Sequence, residues 1–312
     1  MSDPFWFQAF GCVLGFDWHS SGLTTTTCGA VKEGIKGGEK ELGLFVAGGK
    51  GAVSRRTPQE IADACEGLGI DPSALVYASR MSAKVDNAAL QDGYQLYHHT
   101  FFFTAGGSWC VIQQGMNDSI RTARRYHWLS EGLKSFVNEP HFAVCCDVRG
   151  PVLNLVAEES EPVRQHSVQL ATIASQEVRE VIDRLPTLVL SVHHRLQLSD
   201  VNPQYLQRIL LQTYEASPRS YEQLLGVRGV GPKSLRALAL VSELIYGTQC
   251  SARDPARFAF AHGGKDGTPY PVDRNTYDRT IEILHTALQR TKVDRSEKIK
   301  ALKRLATFAR AK

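Results

Sequence analysis

The 312-residue chain lacks several features that would assign it to a specialised class of protein. No stretch approaches the roughly 18 consecutive apolar residues that a membrane-spanning helix requires, so no membrane span is predicted. The first residues, MSDPFWFQAFGC, lack a basic segment followed by an apolar one, and no secretory signal is predicted. The formal net charge is only +4, which neither requires nor excludes a polyanionic partner.

Paired cysteines are missing as well. The seven cysteines are scattered and none stands in a C-x-x-C pair, which argues against a zinc ribbon. An odd number without a framework is typical of reduced thiols, so we expect a cytoplasmic protein. The apolar content of 43% and charged content of 22% are ordinary for a soluble protein. The length favours two domains.

The first predicted domain, residues 1–157, combines strand and helix patterns, so it is predicted to be a mixed α/β domain. The runs LGLFVAGG, ALVYASR and HFAVCCDV are strand-sized, and HHTFFFTAGGSWCVIQQG predicts a hairpin with a four-residue loop. TPQEIADACEGLG predicts a helix with Thr57 as N-cap, Pro58 in the first turn and Glu60 closing a capping box. DSIRTARRYHWLSEGLKSFV, residues 118–137, predicts a second helix.

The second predicted domain, residues 158–312, is all-helical by period and length, so the whole chain is expected to be α+β. Six segments carry the helical pattern, and Asn202–Pro203 and Ser217–Pro218 separate neighbouring helices. Residues 290–312 hold nine Lys or Arg against two acids. This concentration of charge favours a surface that faces phosphates.

A glycine hairpin in QLLGVRGVGPKSLRALALVSEL, residues 223–244, separates two of these helices. Its glycines allow positive φ and close approach of another backbone, and its proline suits the first turn of the next helix. The start of that helix would offer free N–H groups and the positive dipole end to a phosphate. We therefore predict DNA as the partner. The predicted DNA-binding residues are Gly229, Val230, Gly231, Pro232, Lys233, Ser234, Arg236, Lys265 and Arg274.

The pattern LLGVRGVGPKSLRAL resembles the helix-hairpin-helix of DNA repair proteins, and in particular of DNA glycosylases and AP lyases. In that superfamily the hairpin carries a lysine and precedes a segment that resembles PVDRNT here, which maps the catalytic residues to Lys233 and Asp273. The resemblance implies that the Lys233 amine attacks C1′ of a flipped nucleoside and forms a Schiff base, whose β-elimination nicks the strand. Asp273 would stabilise positive charge on the sugar, and no cofactor is needed.

Two further hypotheses remain open. Acidic and histidine side chains of the first half are typical of a metal-dependent nuclease that uses Mg²⁺ or Mn²⁺, with the hairpin as a passive grip. Its predicted metal ligands are Asp17, His19, Asp86, Asp92 and His98. On a strand, the adjacent residues His98 and His99 would face opposite sides. The last hypothesis is a DNA-binding protein without catalysis.

Long motifs give a resemblance over nearly the whole chain. They include SDPFWFQAFGCVLGFDWHSSGLTTT, VAGGKG, LYHHTFFF, WCVIQQGMN, RRYHW and GGKDGTPYPVDR. They are similar to a prokaryotic family catalogued as domain of unknown function 763. Because the family name carries no activity, the resemblance implies common ancestry and no particular chemistry.

Overall fold

Helices and one antiparallel sheet make up the protein, as expected for an α+β fold. The structure is a computed structural model that describes residues 1–16, 20–172, 180, 203–258 and 274–310. The strands are β1 Leu44–Lys50, β2 Leu90–Gln91, β3 Gln95–Thr104, β4 Trp109–Asn117, β5 Thr122–Leu129, β6 Ala143–Cys145 and β7 Leu153–Asn154. The helices are α1 Pro4–Val13, α2 Gly22–Gly34, α3 Glu39–Leu42, α4 Thr57–Glu66, α5 Ser73–Lys84, α6 Glu161–Thr172, α7 Pro203–Ala216, α8 Tyr221–Gly226, α9 Pro232–Tyr246, α10 Arg274–Arg290 and α11 Arg295–Arg310.

Five strands form the main sheet in the order β1-β3-β4-β5-β6, with every pair antiparallel. The predicted β3–β4 hairpin is confirmed. Its phenylalanines show why the sheet is covered on both sides, because side chains alternate across a strand. Phe101 and Phe103 belong to the main core with α4 and α5, whereas Phe102 packs with Phe7 and Leu23 from α1 and α2.

The predicted helix over residues 118–137 is wrong, because this segment contains strand β5 between β4 and β6. Its sequence is charged and aromatic, yet Arg124, Arg125 and Trp128 are all buried. The buried guanidinium groups bond to Asp92 and Gln8, which are far away in the chain, and a local periodicity cannot reveal such partners. The run ALVYASR, predicted to be strand-sized, likewise lies in helix α5.

The α4 helix is confirmed, but its predicted capping box is wrong. Thr57 lies within the helix, where its hydroxyl donates to the Ser54 carbonyl at 2.7 Å. Glu60 reaches across to β1, where it accepts from the Gly48 amide at 2.8 Å and pairs with Lys32 Nζ at 2.6 Å. Glu60 therefore forms an ion pair with Lys32 from α2 instead of capping its own helix.

Helical structure after residue 158 is confirmed for α6 to α11 in the described part of the chain. Residues of α6, α7, α8 and α9 share a continuous apolar core with α4, α5 and the sheet. Helices α10 and α11 instead pack on α1, where Leu284 and Leu305 meet Ala9 and Val13. The division into domains at residue 157 stays a prediction.

Candidate functional site

Helices α8 and α9 are joined by residues 227–231, which we call the glycine turn. Gly229 has a φ of +88°, and a Cβ there would lie 2.9 Å from Gln212 Oε1 and 3.0 Å from Ile209 Cδ1. Gly231 differs, since its φ of −149° is extended and an added Cβ would meet nothing within 4 Å. Val230 between them is buried at 1% exposure. The turn is thus anchored by its middle residue and open at Gly231.

Side chains from three elements hold the glycine turn and the start of α9 in place. The Gly231 amide donates to Ser234 Oγ at 2.8 Å, which ties the turn to the first residues of α9. Tyr205 OH, from α7, donates to the Gly229 carbonyl at 3.0 Å. Gln91 Nε2, from β2, donates to the first carbonyl of α9 at 2.9 Å. Contacts from three separate elements therefore position the backbone of the turn.

The predicted DNA-binding side chains near the turn have different surroundings. Lys233 is exposed, whereas Ser234 is buried and braces the turn. Arg236 is half-buried, and its Nε donates to Gln91 Oε1 at 2.9 Å. Lys233 is thus placed to meet an external anion, while Ser234 and Arg236 support the backbone.

Several predicted site residues cannot be placed. Asp17, His19, Lys265 and Asp273 lie outside the described residues. Arg274 begins α10, but its side chain is also outside the described set. The predicted pairing of Lys233 with a catalytic aspartate therefore stays a prediction.

Asp86 lies in the single π-turn Val85–Ala89 that follows α5, and its carboxylate collects hydrogen bonds from the sheet. Gln113 Nε2 donates to Oδ2 at 2.6 Å, and Trp128 Nε1 donates to the same oxygen at 2.9 Å. His141 Nε2 lies 2.5 Å from Oδ1. The side chain of Asp86 is fully buried. Turns of this kind occur often at functional sites.

The hydrogen bonds continue from Asp86 through β4 and β3 to α5. Gln113 Oε1 lies 2.9 Å from His99 Nδ1, and His99 Nε2 lies 2.9 Å from Ser79 Oγ. Because Gln113 gives its amide hydrogens to the Asp86 carboxylate, its oxygen faces His99 and must accept. His99 therefore carries its proton on Nδ1, and Nε2 accepts the hydroxyl hydrogen of Ser79. Burial lowers the pKa of His99, against opposing effects of Gln113 and Asp86.

A cavity of about 760 Å³ opens beside this chain of hydrogen bonds. Ser79, His99 and Gln113 belong to its wall. Its basic lining residues are Arg55, Arg80 and Lys84, and no Asp or Glu is among the described residues that line it. Burial lowers the pKa of Lys84. The cavity is therefore electropositive, a property that suits an anionic ligand.

His98 also lines the cavity, but its hydrogen bond leads elsewhere. Thr100 Oγ1 lies 2.9 Å from His98 Nε2, and within the described chain His98 Nδ1 has no hydrogen-bond partner. Burial lowers the pKa of His98 to about 3, with smaller contributions from His99 and Lys50. His98 is thus neutral at physiological pH.

Asp92 belongs to a separate buried network. Its Oδ2 accepts from Arg124 Nη1 at 3.0 Å and from Tyr126 OH at 2.7 Å, and Oδ1 accepts from the Tyr94 amide at 3.1 Å. Arg124 Nη2 bonds to Asp254 at 2.8 Å. The predicted metal ligands Asp86 and Asp92 therefore have different sets of partners. Across the described ranges, no group of three or more His, Cys, Asp or Glu is arranged to hold a metal ion.

Sequence reasoning missed Ser79 and Arg124, and it included Gln113 only within the motif WCVIQQGMN. A signal existed for Ser79, since it lies in the dense polar stretch SRMSAKVDNAALQDGYQLYHH. No signal connected it to His99, because the pairing depends on how α5 packs against the sheet.

The site therefore belongs to an α+β protein that has an exposed glycine turn and a basic cavity. Residues 1–272 match the model of a family described as a protein of unknown function, DUF763. The chain belongs to that family. Neither the curated proteins nor the solved structures contain a match. Among the helices of the described residues, none is long and apolar enough to cross a membrane.

Proposed function

We propose that the protein binds and processes DNA, with the glycine turn acting as a helix-hairpin-helix grip on the phosphate backbone. The observation that carries this proposal is the open space at Gly231, where an added Cβ would meet nothing within 4 Å. A phosphate oxygen could approach the backbone at that point. The buried Val230 keeps the turn fixed beneath it.

Physical chemistry supports an anion at this place. Pro232 has no N–H and the Gly231 amide is bonded to Ser234, so the amides of Lys233 and Ser234 are the ones that lack partners within the helix. The helix dipole places positive charge at the same end. The exposed ammonium of Lys233 adds a full charge. Such contacts detect phosphates and not base edges, so binding is expected to be independent of sequence.

The processing step predicted by the resemblance is AP-lyase cleavage through Lys233 and Asp273. Lys233 is exposed and lies next to the turn, so a bound DNA strand could reach its amine. This chemistry would need no cofactor. It stays a proposal that depends on where Asp273 lies.

The alternative of an Mg²⁺- or Mn²⁺-dependent nuclease receives less support. Every carboxylate oxygen of Asp86 and Asp92 already accepts at least one hydrogen bond or faces a histidine nitrogen at close range. A metal would have to displace these buried partners, each at a cost of about 1–3 kcal/mol.

The DNA-binding proposal is tested by Gly231→Ala, with Gly34→Ala as a matched control. Both glycines have open space for a Cβ and neither has a positive φ, so both variants should fold normally. Binding to a fluorescein-labelled duplex is measured by anisotropy at two salt concentrations. We expect Gly231→Ala to weaken binding on the order of tenfold, about 1.4 kcal/mol. Equal affinity of the two variants would refute the grip at the glycine turn.

The lyase step is tested separately on end-labelled duplex DNA that carries an abasic site. Wild-type protein is incubated with EDTA, with and without borohydride. Cleavage with a borohydride-trapped adduct, lost in Lys233→Ala, would support the lyase. Cleavage that requires Mg²⁺ or Mn²⁺ and persists in Lys233→Ala would favour the nuclease.

A further inference from the structure

The basic cavity lies next to the element that carries the glycine turn. Gly226, the last residue of α8, contributes to its wall together with residues of α5, β3 and β4. Tyr77, another lining residue, donates a hydrogen bond to Glu222 of α8. Because the glycine turn begins directly after Gly226, a DNA strand bound at the turn would lie close to this cavity.

We propose that the cavity is a catalytic centre for phosphate esters, in which Ser79 is the nucleophile and His99 is the general base. Ser79 Oγ lies 2.9 Å from His99 Nε2, within the range that proton transfer requires. The opposite nitrogen of His99 is bonded to Gln113. This is the arrangement of a nucleophile, a base and a group that orients the base.

The orientation of His99 is fixed by Gln113 in the cavity wall and by Asp86 behind it. Asp86 accepts from Gln113 at 2.6 Å, which leaves the Gln113 oxygen to accept from His99. Asp86 is itself held by Trp128 and His141. Gln113 and Asp86 are positioning residues, since they hold the lone pair of His99 Nε2 toward Ser79. The hydroxyl of Ser79 can then lose its proton without any rearrangement of the ring.

The charge of the cavity defines the substrate as an anion. Arg55, Arg80 and Lys84 line it, and within the described part of the chain none of them forms an ion pair. Guanidinium groups suit phosphate oxygens because they donate in a planar fork. Three cations could balance the charge that develops on a phosphoryl group during displacement. The choice of phosphate over other anions rests on the DNA-binding proposal.

The reaction would proceed in two displacements. Ser79 Oγ attacks phosphorus while His99 Nε2 takes the hydroxyl proton, the bond from phosphorus to the leaving oxygen breaks, and that oxygen receives the proton from His99. A water molecule then attacks the phosphoserine, gives its proton to His99, and Ser79 leaves and regains a proton. The sum is hydrolysis of one phosphate ester bond by one water.

The test uses the full-length protein with bis(4-nitrophenyl) phosphate and 4-nitrophenyl phosphate in EDTA. Release of 4-nitrophenolate is followed by absorbance, and acid-quenched protein is analysed by mass spectrometry for an adduct on Ser79. We expect Ser79→Ala to abolish both the adduct and turnover. His99→Gln should lower turnover by roughly 10²- to 10⁴-fold.

Ser82→Ala is the matched control. Ser82 is on the same helix and equally buried, but its hydroxyl donates to the Ser79 carbonyl and it does not line the cavity. Its turnover should equal that of the wild type. The proposal fails if the wild type releases no 4-nitrophenolate, or if Ser79→Ala and Ser82→Ala have equal rates. Ser79-dependent hydrolysis of 4-nitrophenyl acetate alone would overturn the phosphate assignment.

This outcome is independent of the DNA-binding result, because the small esters do not need the glycine turn. With end-labelled DNA, an adduct on Ser79 would form without borohydride, whereas the Lys233 Schiff base is trapped only with it. Ester hydrolysis by the wild type, together with equal DNA affinity of Gly231→Ala and Gly34→Ala, would refute the grip and leave the cavity proposal standing.

Discussion

Two buried aspartates of the same chain region, Asp86 and Asp92, have opposite kinds of surroundings. Asp92 faces a cation, since Arg124 binds it at 3.0 Å and also forms an ion pair with Asp254. Asp86 accepts from the uncharged groups of Gln113 and Trp128. Both carboxylates accept a hydrogen bond from a β5 side chain, Asp86 from Trp128 and Asp92 from Tyr126.

The two networks differ most in where they end. The Asp92 network leads through Arg124 to Asp254 and the Val148 carbonyl, which do not line the cavity, while the Asp86 network leads through His99 to Ser79 at the cavity wall. Burial of an acidic side chain therefore does not separate a structural role from a functional one. The two roles are distinguished by where the hydrogen-bond network ends, because only a network that reaches a ligand site can act on a ligand.

The largest expected effect is the loss of catalytic rate in Asp86→Asn, which tests whether Asp86 positions His99. Trp128 Nε1 can only donate, so the asparagine oxygen stays at the Oδ2 position and its amide nitrogen faces His141. The substitution removes the negative charge that holds Gln113 and, through Gln113, stabilises the protonated form of His99. On the proposed mechanism, kcat for phosphate ester hydrolysis should fall by about 10²- to 10⁴-fold, as expected for an orienting group of a catalytic triad. KM should stay within about twofold, because the cations of the cavity are unchanged.

The control for this variant is its free energy of unfolding, measured in urea with the wild type. Asp86→Asn keeps the shape of the side chain, so most of the catalytic loss should occur in protein that is still folded under assay conditions. A parallel change of KM and kcat, or a fall in rate explained by unfolded protein, would contradict the positioning role.

The second prediction concerns Asp92→Asn, which removes the carboxylate from a buried ion pair. The Arg124 charge would lose its partner at 3.0 Å, and breaking a buried pair in this way costs about 3–5 kcal/mol. Urea unfolding should show this loss of stability. If Asp92 instead serves as a metal ligand, stability without metal should rise or stay constant in Asp92→Asn, and an Mg²⁺-dependent activity should disappear.

A smaller loss is expected for Tyr126→Phe, which deletes one donor to Asp92 and keeps the ion pair. Tyr126 OH lies 2.7 Å from Asp92 Oδ2, and a hydrogen bond to a charged group contributes about 1.5–3 kcal/mol. The free energy of unfolding should fall by that amount. Ester hydrolysis per folded molecule should not change, because the Tyr126 hydroxyl bonds to Asp92 and not to the network of Asp86. A selective loss of activity would show that the two networks are coupled.

Sequence patterns predicted most helices and the β3–β4 hairpin, but they failed at β5. The helices after residue 158 have apolar residues at helical spacing, and the hairpin has apolar strands around a glycine loop. In β5 the residues Arg124 and Arg125 are buried, and they bond to Asp92 and Gln8. A pattern of apolar and polar residues assigns such arginines to the surface, so it cannot detect a buried charged strand.

The candidate site was predictable only in part. The glycine turn was visible because glycine and proline act locally on the backbone. The chain from Asp86 to Ser79 joins four elements, and each bond depends on the register of β3 against β4, where His99 is opposite Gln113. Register and packing are tertiary properties, so the sequence indicated the polar residues without their pairing.

The last prediction uses acid to test the two buried histidines that line the cavity, His98 and His99. The pKa of His98 is about 3 in the folded protein against a usual 6.5, and that of His99 is also lowered by burial. Between pH 3 and pH 6.5, the His98 side chain is protonated in the unfolded chain but neutral in the folded protein. Stability is therefore present above pH 6.5 and is lost as the pH falls, at about 1.4 kcal/mol per pH unit for each such histidine.

Urea unfolding at pH 7, 6 and 5 measures this slope, with His98→Gln compared against His285→Gln. His285 is exposed on α10, so its removal should leave the slope between pH 6 and 5 unchanged. His98→Gln removes a group that must stay neutral in the folded state, so the slope should decrease by about 1.4 kcal/mol per pH unit. Identical slopes in both variants would mean that His98 accepts a proton without unfolding. The acid sensitivity would then have to come from the other buried histidines, His99 and His127, whose pKa values burial also lowers.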